Sequence, residues 1–237
     1  MIRSPWTRRL AAVASLGDET RRRLFDFVAS AGHAASRDEA AAALGLPRST
    51  ASFQLDRLVQ EGVLAVEFQK LGGRGGPGSG RPAKLYRAAV QEVAASVPDR
   101  NYDLAAELLV SAIEESATDG GSAREALVRA AYARGQASAR AETGMAGFAE
   151  FLTAEGYLPT SDGEGGFVLL NCPFHRIADG HSAVVCAMNG AFLAGAAAGC
   201  GIDPTQVGAL DIAGLRARGA ALPAQCCARV GPLPAGS

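Results

Sequence analysis

Between Ser36 and Arg87 a succession of local signals limits what this chain can fold into. Ser36 is followed three residues later by Glu39, the spacing at which each side chain satisfies the other's free backbone N–H, so a short helix starts here and runs to Leu44. Gly45-Leu46-Pro47 then forces a turn. From Arg48 to Glu61 the apolar positions Ala51, Leu55, Leu58 and Val59 recur on one side at helical spacing, and Gly62 stops the run. Helix, tight glycine turn and longer helix is the helix-turn-helix order. Val63 to Gln69 reads as a strand, Gly72 to Gly80 as a glycine-rich loop and Lys84 to Arg87 as the returning strand, which makes a β-hairpin or wing.

Two helices precede this unit. Trp6 to Leu16 carries Trp6, Leu10 and Val13 on one face, and a second helix capped by Asp18 runs to Ser30 with Leu24, Phe25, Phe27 and Val28 as its buried stripe.

Charge is divided along the chain in a way the net value of −1 conceals. Residues 1–90 hold fourteen Lys/Arg against eight Asp/Glu, and residues 91–237 hold nine against sixteen. A basic segment confined to one end suits a nucleic-acid module joined to a part with another task. With the apolar side of Arg48–Glu61 turned inward, Arg48, Ser49, Thr50, Phe53 and Arg57 belong to the outer side, with Gln54 at the flank. Arginine pairs with guanine, glutamine with adenine and phenylalanine with thymine methyl groups, while the hydroxyls at the helix start suit phosphate oxygens. Lys70, Arg74, Arg81 and Lys84 at the base of the hairpin are the expected phosphate contacts. The partner these residues predict is double-stranded DNA. A plain helical hairpin with a solvated face explains the periodicity up to Gly62 but not the basic wing.

Leu16 to Leu24, Leu46 to Leu64 and Gly80-Arg81-Pro82-Ala83-Lys84-Leu85-Tyr86-Arg87 resemble ArsR-type winged-helix regulators over about the first 90 residues. That resemblance implies a homodimer on a pseudo-palindromic operator. The paired cysteines that arsenic and cadmium sensors of this type carry on the recognition helix are absent here, because no cysteine precedes residue 172.

Past Pro98 come two alanine-rich helical patterns, Tyr102 to Ser116 and Ala123 to Ala141, and a shorter one around Phe148 to Glu155. Leu104, Leu108, Val110 and Ile113 mark the first as the expected dimerisation helix. From Gly156 the pattern turns to α/β, with strands at Gly166–Leu170, Val207–Ile212 and Cys226–Val230 and a helix from about His181 to Ala198. The expected fold class is α+β: a winged helix-turn-helix over 1–90, a helical linker over 91–143 and an α/β sensor domain over 144–237.

The five cysteines, at 172, 186, 200, 226 and 227, all lie in the final third. An odd count in a chain expected to be cytoplasmic argues against a disulfide framework. Cys172, His175, Cys186, Cys226 and Cys227 are the candidate ligands, with His181 also nearby in sequence; thiolate and imidazole donors of this kind build zinc or iron–sulfur sites. A continuous helix would separate Cys186 from Cys200 by about 21 Å at 1.5 Å per residue, so Cys200 is the expected bystander. Neighbours in an extended strand face opposite sides, so only one of Cys226 and Cys227 is expected in the site.

Together with the winged helix, Asn171-Cys172-Pro173-Phe174, Cys186 and the terminal cysteines resemble SufR-type repressors and their actinobacterial relatives. The resemblance implies an iron–sulfur cluster, with Cys172 and Cys186 at its first two positions and Cys226 or Cys227 at the last. The third spacing differs, and an adjacent cysteine pair stands in place of a single one. Zinc is the alternative metal, and a small organic effector with the cysteines in the core is the alternative sensor.

No phosphate-cradling loop, nucleophile elbow or paired metalloprotease histidines occur, which disfavours an enzyme. Cys172 and His175 as nucleophile and base lack a visible orienting partner. No stretch approaches the roughly 18 or more uninterrupted apolar residues of a membrane span, and the N-terminus lacks a signal-like apolar core, so no membrane partner is expected.

Overall fold

A computed structural model describes residues 4–69 and 82–231. Three of the expected phosphate contacts, Lys70, Arg74 and Arg81, lie outside the described residues. The chain divides into two compact units, Ser4–Ala95 and the part from Ser96 onward.

In the first unit α1 (Trp6–Ser15) and α2 (Glu19–Ser30) are followed by β1 (Ala35–Ser36), α3 (Arg37–Leu44), α4 (Arg48–Gln60), β2 (Leu64–Gln69) and β3 (Ala83–Ala88). Local chemistry sets the boundaries. Asp18 accepts from the Arg21 N–H to start α2, and Ser36 and Glu39 close the reciprocal capping box of α3. Gly45 ends α3 at φ 64°, a left-handed conformation that suits glycine. Leu24, Val28, Ala40, Ala51, Leu55, Leu58, Leu64 and Tyr86 form one buried cluster. Phe25 and Phe27 are only partly buried against it, because they lie to the sides of the stripe that Leu24 and Val28 share. β1, which sequence patterning does not reveal, is a two-residue strand that pairs antiparallel with β3, giving a sheet of order β1-β3-β2.

The second unit contains α5 (Tyr102–Asp119), α6 (Ala123–Ser138), α7 (Gly144–Ala154), β4 (Pro159–Ser161), β5 (Phe167–Leu169), α8 (His175–Ala178), α9 (Ser182–Gly199), β6 (Val207–Ala209), α10 (Ile212–Ala217) and β7 (Ala228–Val230). Its short strands form an antiparallel sheet of order β4-β5-β7-β6. The predicted strand through Ile212 stops at Ala209, since Ile212 begins α10. α9 is long and apolar enough in composition to cross a membrane, but here it packs along α6. Small residues permit that approach: a Cβ on Gly135 would lie 2.0 Å from the Phe192 carbonyl oxygen, and one on Gly195 would lie 2.0 Å from that of Tyr132.

The helices of 91–143 do not form a separate linker. Leu104, Leu108, Leu127 and Ala131 share one core with Phe148, Phe192, Leu193 and Val230, because α9 packs along α6 and α5 packs on α6. The four apolar residues that mark α5 as the expected dimerisation helix therefore divide. Leu104 and Leu108 face inward, whereas Val110 and Ile113 are exposed on the opposite side of the helix.

Candidate functional site

The outer side of α4 is the candidate DNA-reading surface. Ser49, Phe53 and Arg57 follow one another four residues apart and are exposed, with Phe53 68 % accessible. Thr50 and Gln54 are half-buried at the flank, and Gln54 Oε1 accepts from Arg21 on α2 at 3.4 Å. Arg48 is held by Asp38 on α3, its Nε 2.5 Å from Oδ1, while Arg57 bridges to Glu61 at 2.8 Å. The Arg48–Asp38 pair lies at the surface, where a phosphate or base can replace the carboxylate at little cost, whereas Glu61 is only 19 % exposed.

Lys84 is more tightly committed. Its Nζ lies 2.5 Å from Asp56 Oδ1 on α4, and the Tyr86 hydroxyl donates to the same oxygen at 2.7 Å. Burial alone would raise the Asp56 pKa, but the hydrogen bonds from Lys84 and Tyr86 outweigh it and hold the carboxyl below its usual value. Burial and the Asp56 bond push the Tyr86 phenol well up, so it remains a donor. Lys84, expected as a phosphate contact, thus braces the wing strand against the reading helix. Asp56 and Phe68 were not singled out from the sequence. Phe68 stands 70 % exposed on β2 directly across from Lys84, a large apolar side chain on the outward face of a basic hairpin.

The second site lies in the C-terminal unit. Arg100 donates to the Cys172 carbonyl at 3.0 Å and to Asn171 Oδ1, and Asn171 in turn donates to the Asp99 and Gly156 carbonyls. The Cys172 N–H donates to the Ala224 carbonyl at 2.8 Å, and the Cys226 N–H to the Leu169 carbonyl at 2.9 Å, so the loop after β5 and the segment before β7 run side by side. The N-terminal part of α9 adds Cys186.

The thiols of Cys186 and Cys227, of Cys227 and Cys226, and of Cys226 and Cys172 influence one another's titration in turn. Cys172, at the accepting end, is drawn below the usual thiol value by the bond from Cys226, which outweighs its burial. Cys226 is pushed up to about 12, first by donating to Cys172. The bond from Cys186 lowers Cys227, but Cys226 and burial raise it further, to about 11. Cys186 goes up by donating to Cys227 and by burial. Among the described residues no three Cys, His, Asp or Glu side chains meet around one point able to seat a metal ion, so the thiols form a chain rather than a closed cage.

Cys172, Cys186 and Cys227 line a cavity of about 920 Å³, together with His175, Arg100 and Arg176. His181 is exposed at the start of α9. Cys200 ends that helix and is buried apart from the other four, donating weakly to the Ala139 carbonyl at 3.7 Å. Cys227 lines the cavity whereas Cys226 is fully buried, so the two neighbours face different ways, as alternation anticipates, although β7 begins only at Ala228. Met188 is core, 1 % exposed.

Asn189 is the polar residue that sequence reasoning missed here. Its Nδ2 donates to Cys226 Sγ at 3.1 Å while its Oδ1 accepts from the buried Tyr157 hydroxyl. The available signal was a lone amide in the otherwise apolar run Val184 to Leu193.

Residues 16–67 match the family model of a helix-turn-helix domain, covering α2 to α4 and the start of the wing. No curated protein and no solved structure matches the chain. The matched segment contains the capped helices, the Gly45 turn and the exposed Ser49–Phe53–Arg57 side, and this helix-turn-helix domain supports a DNA-binding transcription regulator.

Proposed function

We propose that this regulator reads a palindromic operator as a homodimer and that its C-terminal unit senses an iron–sulfur cluster held by Cys172, Cys186, Cys226 and Cys227. The observation that carries the sensor reading is that three thiols, Cys172, Cys186 and Cys227, line one open cavity with Cys226 buried beside them, while the fifth cysteine is buried elsewhere. The donor set fits a thiophilic group, since it has four sulfurs and no carboxylate. Zinc requires four donors around one point at about 2.3 Å, whereas a cluster takes its thiolates at more than one iron. His175, on the cavity wall, is the available imidazole.

When bound, the group supplies a redox- or occupancy-dependent constraint on the three segments it joins. The protein's own part is to hold those segments ready: Arg100 and Asn171 fix the Cys172 loop, and the Cys172 and Cys226 backbone bonds fix the Ala224–Cys226 segment to it. The exposed Val110 and Ile113 side of α5 supports a dimer surface that the inward-facing Leu104 and Leu108 do not. Linked sites of this kind typically couple by about 1–3 kcal/mol, here between cluster occupancy and operator affinity. The location that goes with this reading is the cytoplasm, where the regulator would meet its operator.

Iron, zinc and sulfide analysis of protein purified without oxygen tests the sensor reading. Iron with sulfide in wild type, lost in Cys172→Ser, supports it; stoichiometric zinc without sulfide replaces the cluster by a metal ion; neither leaves an organic effector as the signal.

A further inference from the structure

Asn189 is 1 % exposed in the middle of α9, between Val185, Met188, Phe192 and Leu193, which are all buried. An amide in such surroundings costs several kcal/mol unless its hydrogen bonds are made. Both are made within the thiol site: Nδ2 donates to Cys226 Sγ at 3.1 Å, and Oδ1 accepts from Tyr157, whose hydroxyl is equally buried. Tyr157 fixes the direction of the amide. Burial raises its phenol well above the ordinary value, so it stays protonated and donates to Oδ1, which leaves Nδ2 as the end that faces sulfur. For packing alone, a leucine and a phenylalanine would fill this space without burying three polar groups.

We infer that Asn189, locked by Tyr157, is a positioning residue of the thiol site, donating an N–H···S bond to Cys226 that sets the electron density on that sulfur. This deepens the cluster reading and rests on it. Hydrogen bonds to ligating sulfurs withdraw charge, favour the reduced form and raise the reduction potential. Cys226 receives that bond from within the core, on the side away from solvent, and it is the only one of the four cysteines that is fully buried, at 0 %.

The test uses full-length protein purified without oxygen, with iron and sulfide analysis, visible spectrum and potentiometric titration of wild type, Asn189→Leu and Tyr157→Phe. A more negative midpoint potential in both variants, at unchanged iron and sulfide content, is the expected result, with the larger shift in Asn189→Leu. A packing role would alter thermal stability and leave the potential in place. If Asn189→Leu does not fold, Tyr157→Phe decides the matter, because it removes one oxygen and keeps the ring. Wild type lacking iron and sulfide overturns the cluster reading and the inference with it. Wild type with a cluster and variants of unchanged potential overturn the role of Asn189 alone.

Discussion

Lys84 on the wing strand and Asp56 on the reading helix approach to 2.5 Å, and this contact joins the two elements expected to touch DNA into one rigid surface. Tyr86 donates to the same carboxylate oxygen from the neighbouring register on the strand. Asp56→Asn removes the ion pair while preserving shape. Both side chains of the pair are more than a third exposed, so the expected loss of stability is about 1 kcal/mol or less. The folded pKa of Asp56 lies below its unfolded value, so the contribution is present above the ordinary carboxylate value and is lost as pH falls through the folded one. Urea unfolding of wild type and Asp56→Asn should differ at pH 7 and converge in acid.

Phe53→Ala and Arg57→Ala should each weaken operator binding by roughly tenfold or more, corresponding to about 1–3 kcal/mol for a lost base contact. Both side chains are exposed, so thermal unfolding should barely move. Fluorescence anisotropy with a selected operator measures the first effect and circular dichroism the second; unchanged affinity in both variants would remove α4 as the reading helix.

The α6–α9 crossing is the most easily broken contact of the second unit. A Cβ at Gly195 would lie 2.0 Å from the Tyr132 carbonyl, and backbone cannot retreat as a side-chain tip does. Gly195→Val should destabilise by about 3 kcal/mol or more, through overpacking. Calorimetry checks this, with Gly190→Ala as the control, since a Cβ there meets nothing within 4 Å.

Cysteine substitutions should divide into two classes. Serine at 172, 186, 226 or 227 is expected to lower iron and sulfide content sharply, whereas Cys200→Ser should retain both, because Cys200 bonds only weakly to the Ala139 carbonyl and takes no part in the thiol chain. Loss of iron in Cys200→Ser would mean that another set of thiols holds the group.

Ile113→Glu places a charge on the exposed side of α5 and should abolish the proposed dimer in sedimentation, with folding intact. Leu108→Glu should unfold it instead, since Leu108 is buried within the chain's own core.

Signals confined to a few consecutive residues settled the helix-turn-helix from sequence alone. The Ser36–Glu39 box, the Asp18 cap, the Gly45 turn and the Ala51–Leu55–Leu58 stripe each act over one or two helical turns, and each reappears at its expected place in the structure. Distance along the chain likewise separated Cys200 from Cys186, because a continuous helix has a fixed rise. What required tertiary structure was every pairing between remote segments. Periodicity marks both sides of α5 as apolar but does not say that Leu108 turns to the core and Ile113 to solvent; that depends on where α6 and α9 pack. Lys84 carries a charge suited to phosphate, yet the antiparallel register of β3 delivers it to Asp56. The same holds for the thiols: α9 brings Asn189 onto the sulfur of Cys226, through packing between residues 37 positions apart that no local pattern encodes.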